Sequence, residues 1–297
     1  MLDDLTEQGR STLRKAGYTL QMFPMLQEKA GKGEAKAELA LAWIYFIGEG
    51  VEKNNALALE WMSKAAEQGL AGAQDTIGPM YLLAKDLPNN YKLAKVWLQK
   101  AADRNERNAW NSLGVIYFQG LGEDVNVQEA IRCFRKASDL GSDRADSNLG
   151  SIYYEGKLVP KDLKESARYM QLAADKNNVR ATYNLGVMYR DGLGVDKDEN
   201  KAFQLFLRAA NQFRYPAAQF NVAAAYYAGQ GVQRDLILAY MWAKLAFDQG
   251  YKPRTNLVEI LSAKMTPDQI ADAQRQATLW LQEHEDKRAP EPNSSTP

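Results

Sequence analysis

A 36-residue period runs through most of the chain and constrains its fold more than any other feature. A small residue follows five positions after each opening alanine, a tyrosine eight positions after it, and another alanine 28 positions after it. Four columns that agree over six copies identify a repeat architecture, in which each unit buries its apolar face against its neighbours. The opening alanines are Ala37, Ala73, Ala109, Ala145, Ala181 and, one residue late, Ala218.

Each copy predicts two helices joined by a turn. In the fifth copy Leu185 and Tyr189 lie four residues apart, which is helical spacing, and the turn GLGV follows at 192–195. Glycine suits this turn because it tolerates positive φ beyond a helix end. The second helix carries a bulky residue and then small ones, as in Trp97 and Ala101. We expect the small residues at the helix crossing and the tyrosine and tryptophan beside it, so that enlarging such an alanine costs ~1–3 kcal/mol.

The columns resemble the Sel-one-like repeat, the 36-residue branch of the tetratricopeptide-type repeats, over about residues 35–250. This resemblance implies an all-α fold, a right-handed α-solenoid superhelix of antiparallel helix pairs, whose concave face binds proteins or peptides. It implies no shared enzymatic activity, and some bacterial members resemble immunity factors that bind a toxin. The fifth copy matches best, at Ala181, Leu185, Gly186, Tyr189, Gly192, Gly194, Val195, Lys201, Ala202, Ala209 and Ala210.

The period also predicts the domain organisation. Residues 1–34 form a degenerate N-terminal helical cap, residues 251–286 a C-terminal helical cap, and residues 287–297 a disordered tail. The second repeat is irregular, because Lys85, Asp86, Leu87 and Pro88 replace its glycine turn and Pro79 should kink its first helix or shift that helix's start. The six repeats are expected at about 35–70, 71–106, 107–142, 143–178, 179–215 and 216–250.

Charge and composition narrow the class of partner. The chain has 37 basic and 37 acidic residues, so it lacks the basic excess typical of proteins that bind nucleic acid or an anionic membrane. No apolar run reaches the length of a transmembrane helix, and the acidic N-terminus does not resemble a signal peptide. We therefore predict a cytoplasmic protein with no direct membrane insertion, or a periplasmic one if a leader has been removed, and a monomer when free. The resemblance to the Sel-one-like repeat implies that it is bacterial.

Neither of the two chemically distinctive side chains predicts an active site. Cys133 has no second cysteine and stands in the bulky column, so we interpret it as an apolar filler. His284 is the only histidine and is expected on the surface near the end of the last helix. A catalytic triad or a zinc site cannot be assembled from one cysteine and one distant histidine. We therefore predict no enzyme activity, no metal and no cofactor.

The partner-binding positions are predicted from the tetratricopeptide pattern, in which the first helices line the concave groove. Aromatic residues and one arginine recur two, six and nine residues after the opening alanines, and such side chains often anchor interfaces. The alternative is that some of them pack between neighbouring first helices. Asn148, Asn184 and Asn221 are expected to bond backbone groups of the adjacent repeat. The predicted binding residues are Trp43, Phe46, Phe118, Tyr154, Tyr183, Arg190, Phe220 and Tyr227.

Three functions follow from these observations. The first is a non-enzymatic scaffold or adaptor that holds a partner protein or peptide in the groove. A sharper version is an immunity-type protein that neutralises a secreted toxin by binding it. The third is a structural solenoid that assembles with itself, which the polar chain ends disfavour.

Overall fold

The computed structural model describes residues 2–83 and 90–284, and within these ranges every regular element is a helix. The chain forms two compact units, Met1–Ser142 and Asp143–Pro297, each described by itself below. The all-α fold of repeated helix pairs is confirmed. The turn predicted at 85–88 and the tail predicted at 287–297 lie outside the described residues.

The repeat helices have uniform bounds, and each first helix begins two residues before its opening alanine. The first helices are α3 (Ala35–Ile47), α5 (Ala71–Leu83), α7 (Arg107–Gln119), α9 (Asp143–Glu155), α11 (Val179–Asp191) and α13 (Pro216–Ala228). The second helices are α4 (Asn55–Glu67), α6 (Asn90–Ala102), α8 (Val127–Asp139), α10 (Leu163–Asp175), α12 (Glu199–Phe213) and α14 (Leu236–Asp248).

Glycines on the first helices make the crossing between the two helices of a repeat tight. A β-carbon on Gly114 would lie 2.6 Å from a ring carbon of Phe134, and one on Gly186 would lie 2.7 Å from Phe206. The second-helix residue that faces this glycine is therefore one position beyond the column that we predicted to hold the bulky side chains. The tryptophan of that column in the second repeat, Trp97, instead has the ammonium group of Lys100 4.1 Å from its ring centroid.

The tyrosine column also closes the turns. In the five repeats whose turn is described, the backbone N–H of the residue before the second helix donates to the tyrosine carbonyl, as Asp198 does to Tyr189 at 2.9 Å. The side chain of Asp198 then accepts from the backbone N–H of Lys201 and caps α12. Gly194 must be glycine, because its φ is +73° and a β-carbon there would overlap the backbone of Leu163 in the preceding repeat.

Two irregularities have local causes. Helix α5 runs through Pro79 and begins at the same repeat position as the other first helices, so the alternative of a shifted start is wrong. The late sixth copy follows from α12, which has 15 residues where the other second helices have 13. Arg214 ends α12 in the left-handed region at φ +50°.

Further helices flank the repeats. At the N-terminal end lie α1 (Leu2–Lys15), a 3-10 turn (Leu20–Met22) and α2 (Phe23–Gly31), which packs on α3. At the C-terminal end lie α15 (Leu257–Ser262) and α16 (Pro267–Glu283), which packs on α14. The sequence TPDQ at 266–269 predicts a helix start with a capping box, and the structure confirms it, since Thr266 and Gln269 each bond the other's backbone N–H. His284 is half-buried, not exposed, because its ring stacks on Trp280 with the ring centroids 4.4 Å apart.

Candidate protein-binding face

The predicted binding residues all lie on first helices. We call the surface formed by positions two, three, six, nine and ten after an opening alanine the first-helix face. In the first unit it is carried by α3, α5 and α7, and in the second unit by α9, α11 and α13. The structure places the predicted residues in three different environments on this face.

Trp43 and Phe46 are buried, with exposed fractions of 1% and 3%, so the expectation of a solvent-exposed anchor is wrong for both. Trp43 is covered by α1, which the sequence predicted only as part of a cap. A β-carbon on Gly9 would lie 2.8 Å from Trp43 Cδ2, so the backbone of α1 rests against the indole ring. The two predicted residues also pack against each other edge to face, with ring centroids 6.0 Å apart.

Tyr154 is the most open of the predicted aromatic residues, with an exposed fraction of 37%. It lines a cleft of about 230 Å³ between α9 and α11, together with Ser151, Asn184, Val187 and others. The ammonium group of Lys161 lies 5.3 Å from its ring centroid. This cleft offers a partner an aromatic edge, an amide and apolar surface in one place. Phe118, in the other unit, is half-buried.

Arg190, Asn221 and Tyr183 form a polar bridge between α11 and α13. Arg190 Nη1 donates to Asn221 Oδ1 at 2.9 Å, and Asn221 Nδ2 lies 3.3 Å from the Tyr183 hydroxyl oxygen, which accepts from it. Arg190 also makes two hydrogen bonds to the carboxylate of Asp191, at 2.7 and 2.8 Å. The guanidinium group is therefore held in one orientation although two-fifths of the side chain is exposed.

Asn221 has a different role from the one expected for the asparagine column. Asn221 Nδ2 donates to the carbonyl of Ala217 in its own helix, and its other contacts are side chains of the preceding repeat. The sequence predicted backbone groups of the adjacent repeat instead. Because Asn221 stands opposite an arginine, its amide oxygen serves as an acceptor for a charged donor, a pairing that the column pattern alone does not reveal.

The pKa values of the ionisable groups in the bridge are shifted in directions that keep Arg190 and Asp191 charged. Hydrogen bonding to Asp191 raises the pKa of Arg190, and the same contact lowers the pKa of Asp191. Burial raises the pKa of the Tyr183 hydroxyl. At neutral pH the bridge therefore holds a fixed ion pair and a neutral phenol, which suits binding and offers no group ready to transfer a proton.

Phe220 and Tyr227 lie on α13. Phe220 contacts Tyr251, with ring centroids 5.5 Å apart, and borders a cavity of about 150 Å³. The ring of Tyr227 has two cationic groups near it, Arg234 at 5.9 Å and Lys264 at 5.5 Å from its centroid. Both aromatic residues are half-buried. Phe220 therefore packs against the segment that follows α14, whereas Tyr154 is exposed.

The described residues contain no group of three or more Cys, His, Asp or Glu side chains that could hold a metal ion. Cys133 is buried, and burial raises the pKa of its thiol to about 11. A thiol with such a pKa is a poor nucleophile at neutral pH, in agreement with the interpretation of Cys133 as a packing residue.

Stacked helix pairs with an open first-helix face define a repeat protein of the helix-pair class. A family model described as the Sel1 repeat matches residues 35–70, 77–106, 111–142, 144–178, 179–212 and 216–251. These matches cover more than half of the chain, which therefore belongs to the Sel1 repeat family. Proteins of this family are generally non-catalytic scaffolds that bind other proteins.

Solved structures of bacterial proteins share the fold. One is c5321, a protective antigen of uropathogenic Escherichia coli with an SLR fold, at 29% identity and a TM-score of 0.67. The match covers 91% of this chain and 61% of that protein, so the chain spans about three fifths of the relative's length. Another is a Sel1 repeat protein from Oxalobacter formigenes, at 28% identity and a TM-score of 0.62, with 84% and 99% of the two chains covered.

The immunity protein Pa5087 of Pseudomonas aeruginosa is also similar, at 22% identity. That match covers 68% of this chain and 82% of Pa5087, and its TM-score of 0.41 is too low to support an argument about function. No curated protein sequence matches the chain significantly. Among the residues that the structure describes, none of the helices has both the length and the apolar character needed to cross a membrane.

Proposed function

We propose that this chain is a non-enzymatic scaffold that holds a partner protein or peptide on the first-helix face of its second unit, with Tyr154 and Arg190 as the main contacts. The observation that carries this proposal is the fixed, partly exposed guanidinium of Arg190. Because Asp191 and Asn221 already orient it, a partner carboxylate or carbonyl can bind it with little loss of side-chain freedom.

The surroundings of Arg190 suit a protein ligand. Tyr154 supplies an open aromatic surface beside the cleft, and tyrosine with arginine is the combination most enriched at the centres of interfaces. The cleft also contains Asn184, whose amide can both donate and accept hydrogen bonds to a peptide backbone. Aromatic, cationic and amide groups side by side match the chemistry of a polypeptide.

The test is affinity capture from the source cell with wild type, with a Tyr154→Ala, Arg190→Ala variant, and with a control that changes exposed residues away from this face. Glu60→Ala, Lys64→Ala is a suitable control because it removes an exposed ion pair on α4. We expect the control to retain every partner of wild type and the double variant to lose at least one. A captured partner that binds all three equally contradicts the assignment of this face.

The same capture separates the sharper alternative from the general one. If the chain is an immunity-type protein, the lost partner is a secreted toxin, and adding the purified chain restores growth of cells that express it. If the chain is a structural solenoid, light scattering gives a mass above that of one chain. We expect the mass of a monomer.

A further inference from the structure

Helix α1 lies on the part of the first-helix face that α3 and α5 present in the first unit. Gly9 rests against Trp43, and a β-carbon there would also lie 3.0 Å from Ile47 Cδ1. Helix α1 also contacts α5, because the side-chain amide nitrogen of Gln8 donates to the hydroxyl oxygen of Thr76 at 3.3 Å. Trp43, Ile47 and Thr76 stand six, ten and three residues after their opening alanines, so α1 covers the positions predicted to bind a partner.

The corresponding positions in the second unit are open. The cleft between α9 and α11 is lined by Ser151 at the sixth position, Tyr154 at the ninth and Asn184 at the third. The residues that line this cleft in the described part of the chain all belong to repeat helices, and Tyr154 is exposed. Positions of the first-helix face are thus covered by α1 in the first unit and open at the α9–α11 cleft in the second unit.

The contact of α1 with this face is narrow. One stripe at four-residue spacing faces the repeats: Leu5 is buried, Gly9 is buried, and Leu13 is partly buried against the same core. Most other side chains of α1 are polar, and its outer surface carries an exposed ion pair between Arg14 and Glu7. The contact buries only about two leucine side chains, so a partner helix that buries a similar stripe can replace it.

The connection to the repeats allows α1 to leave as a unit. Gly17 ends the α1 segment at φ +69°, and a β-carbon there would meet no other atom within 4 Å. A helix of 14 residues has little stability without tertiary contacts, so α1 unfolds when it leaves the face. The repeat helices beneath it keep their own cores, since the small residues and their partners lie between the helices of each repeat.

We propose that α1 is a built-in occupant of the first-helix face, and that a partner protein displaces it by inserting an amphipathic helix of the same design. This inference rests on the proposed scaffold function and names the kind of ligand. The inserted helix carries two apolar residues that flank a small residue at four-residue spacing, as Leu5, Gly9 and Leu13 do. The inserted helix also presents a basic residue to Glu49, in place of Arg10, whose Nε lies 3.6 Å from Glu49 Oε2.

The test uses the full-length chain and a fluorescent synthetic peptide of residues 2–15. Gly9→Leu places a bulky side chain where even a β-carbon overlaps Trp43, so α1 leaves the face. Glu7→Leu is the matched control, because it adds the same side chain on the exposed side of α1. We expect the peptide to bind the Gly9→Leu chain at least about tenfold more tightly than wild type or Glu7→Leu, whose own tethered helix competes at a high effective concentration.

Hydrogen exchange checks the position of α1 independently. Amides of α1 should lose protection in Gly9→Leu and keep it in Glu7→Leu, while those of α9 to α14 stay protected in both. If α1 remains protected in Gly9→Leu, the double variant Leu5→Asp, Leu13→Asp removes the stripe and serves instead. A vacated face that does not bind the peptide overturns the proposal, and so does equal binding to wild type. The result is separate from the capture test, which depends on Tyr154 and Arg190 in the other unit.

Discussion

The carboxylate of Asp146, which is fully buried, pairs with the ammonium group of Lys176 at 2.6 Å across the two helices of one repeat. The two residues are 30 positions apart, and the same spacing joins Glu38 with Gln68 and Gln219 with Gln249, both at 2.7 Å. Each contact ties the start of a first helix to the end of the second helix of its own repeat. These pairs form a polar column that the sequence columns of alanine and tyrosine do not reveal.

Loss of the cation should destabilise the second unit. Lys176→Met removes the ammonium group that pairs with the buried carboxylate of Asp146. It should lower the free energy of unfolding by about 2–3 kcal/mol, since the lysine side of this pair is partly exposed. Adding Asp146→Asn should recover part of this loss because no buried charge remains. Lys244→Met, which removes a partly exposed ion pair with Asp248, should cost less than about 0.5 kcal/mol. Urea unfolding measures all three variants. Equal losses of unfolding free energy in Lys176→Met and Lys244→Met would show that burial of Asp146 does not strengthen its ion pair.

The column of small residues predicts a matched pair of glycine substitutions. Gly114→Ala should lower the free energy of unfolding by ~1–3 kcal/mol, because the new methyl group would lie 2.6 Å from the Phe134 ring. Gly72→Ala adds the same methyl group near the start of α5, where the nearest atom is 4.0 Å away. It should be neutral or stabilising by up to about 1 kcal/mol. Thermal unfolding distinguishes them, and a neutral Gly114→Ala would show that the crossing has spare room.

The buried thiol should be chemically inert in the folded protein. Because burial raises the pKa of Cys133 to about 11, very little thiolate exists at pH 8. We expect iodoacetamide to modify Cys133 slowly in buffer and rapidly in denaturant, as measured by mass spectrometry. Fast modification of the folded chain would show that the core around α8 opens easily.

The stability of the first unit should respond to pH through Glu38. Burial raises the pKa of this carboxyl above its usual value, although the hydrogen bond from Gln68 acts in the opposite direction. The folded state therefore binds the proton more tightly than the unfolded state, and stability falls as the pH rises from the usual carboxyl pKa through the raised one. Glu38→Gln removes this loss.

We expect the variant to have a higher urea midpoint than wild type at pH 7, and the difference to vanish in acid below the usual carboxyl pKa. Glu60→Gln changes an exposed carboxyl of the same unit and is the control. A lower midpoint for Glu38→Gln at pH 7 would mean that the negative charge itself stabilises the fold.

Periodicity was sufficient to predict the helix pairs, since the same positions repeat and local spacing decides which residues meet. A local capping motif predicted the start of α16, because Thr266 and Gln269 act within one turn of helix. The facing residue at the crossing was misplaced by one position, as at Phe134, because a single step along a helix turns a side chain by about 100°. Sequence columns fix spacing along the chain more accurately than direction around a helix.

The environment of the candidate site was less predictable for a different reason. Trp43 stands at the sixth position of the first-helix face and is buried, whereas Tyr154 stands at the ninth position and is exposed. Trp43 is covered by α1, which lies outside the repeats and has no counterpart in the period. Similarly, the bond from Arg190 to Asn221 joins residues 31 positions apart that no single repeat contains. Contacts between unlike parts of the chain leave no periodic trace.

The turn that ties Asp198 to the tyrosine carbonyl of its own repeat has an evolutionary consequence. Because each such closure lies inside one repeat, unequal recombination that inserts or deletes one period of codons leaves the remaining closures intact. Neighbouring interfaces also survive, since the turn glycines meet the preceding repeat at equivalent positions, as Gly194 meets Leu163 and Gly231 meets Glu199. Genes for chains of this kind can therefore lengthen or shorten in steps of a whole repeat while their products still fold, and the reach of the binding surface evolves by copy number.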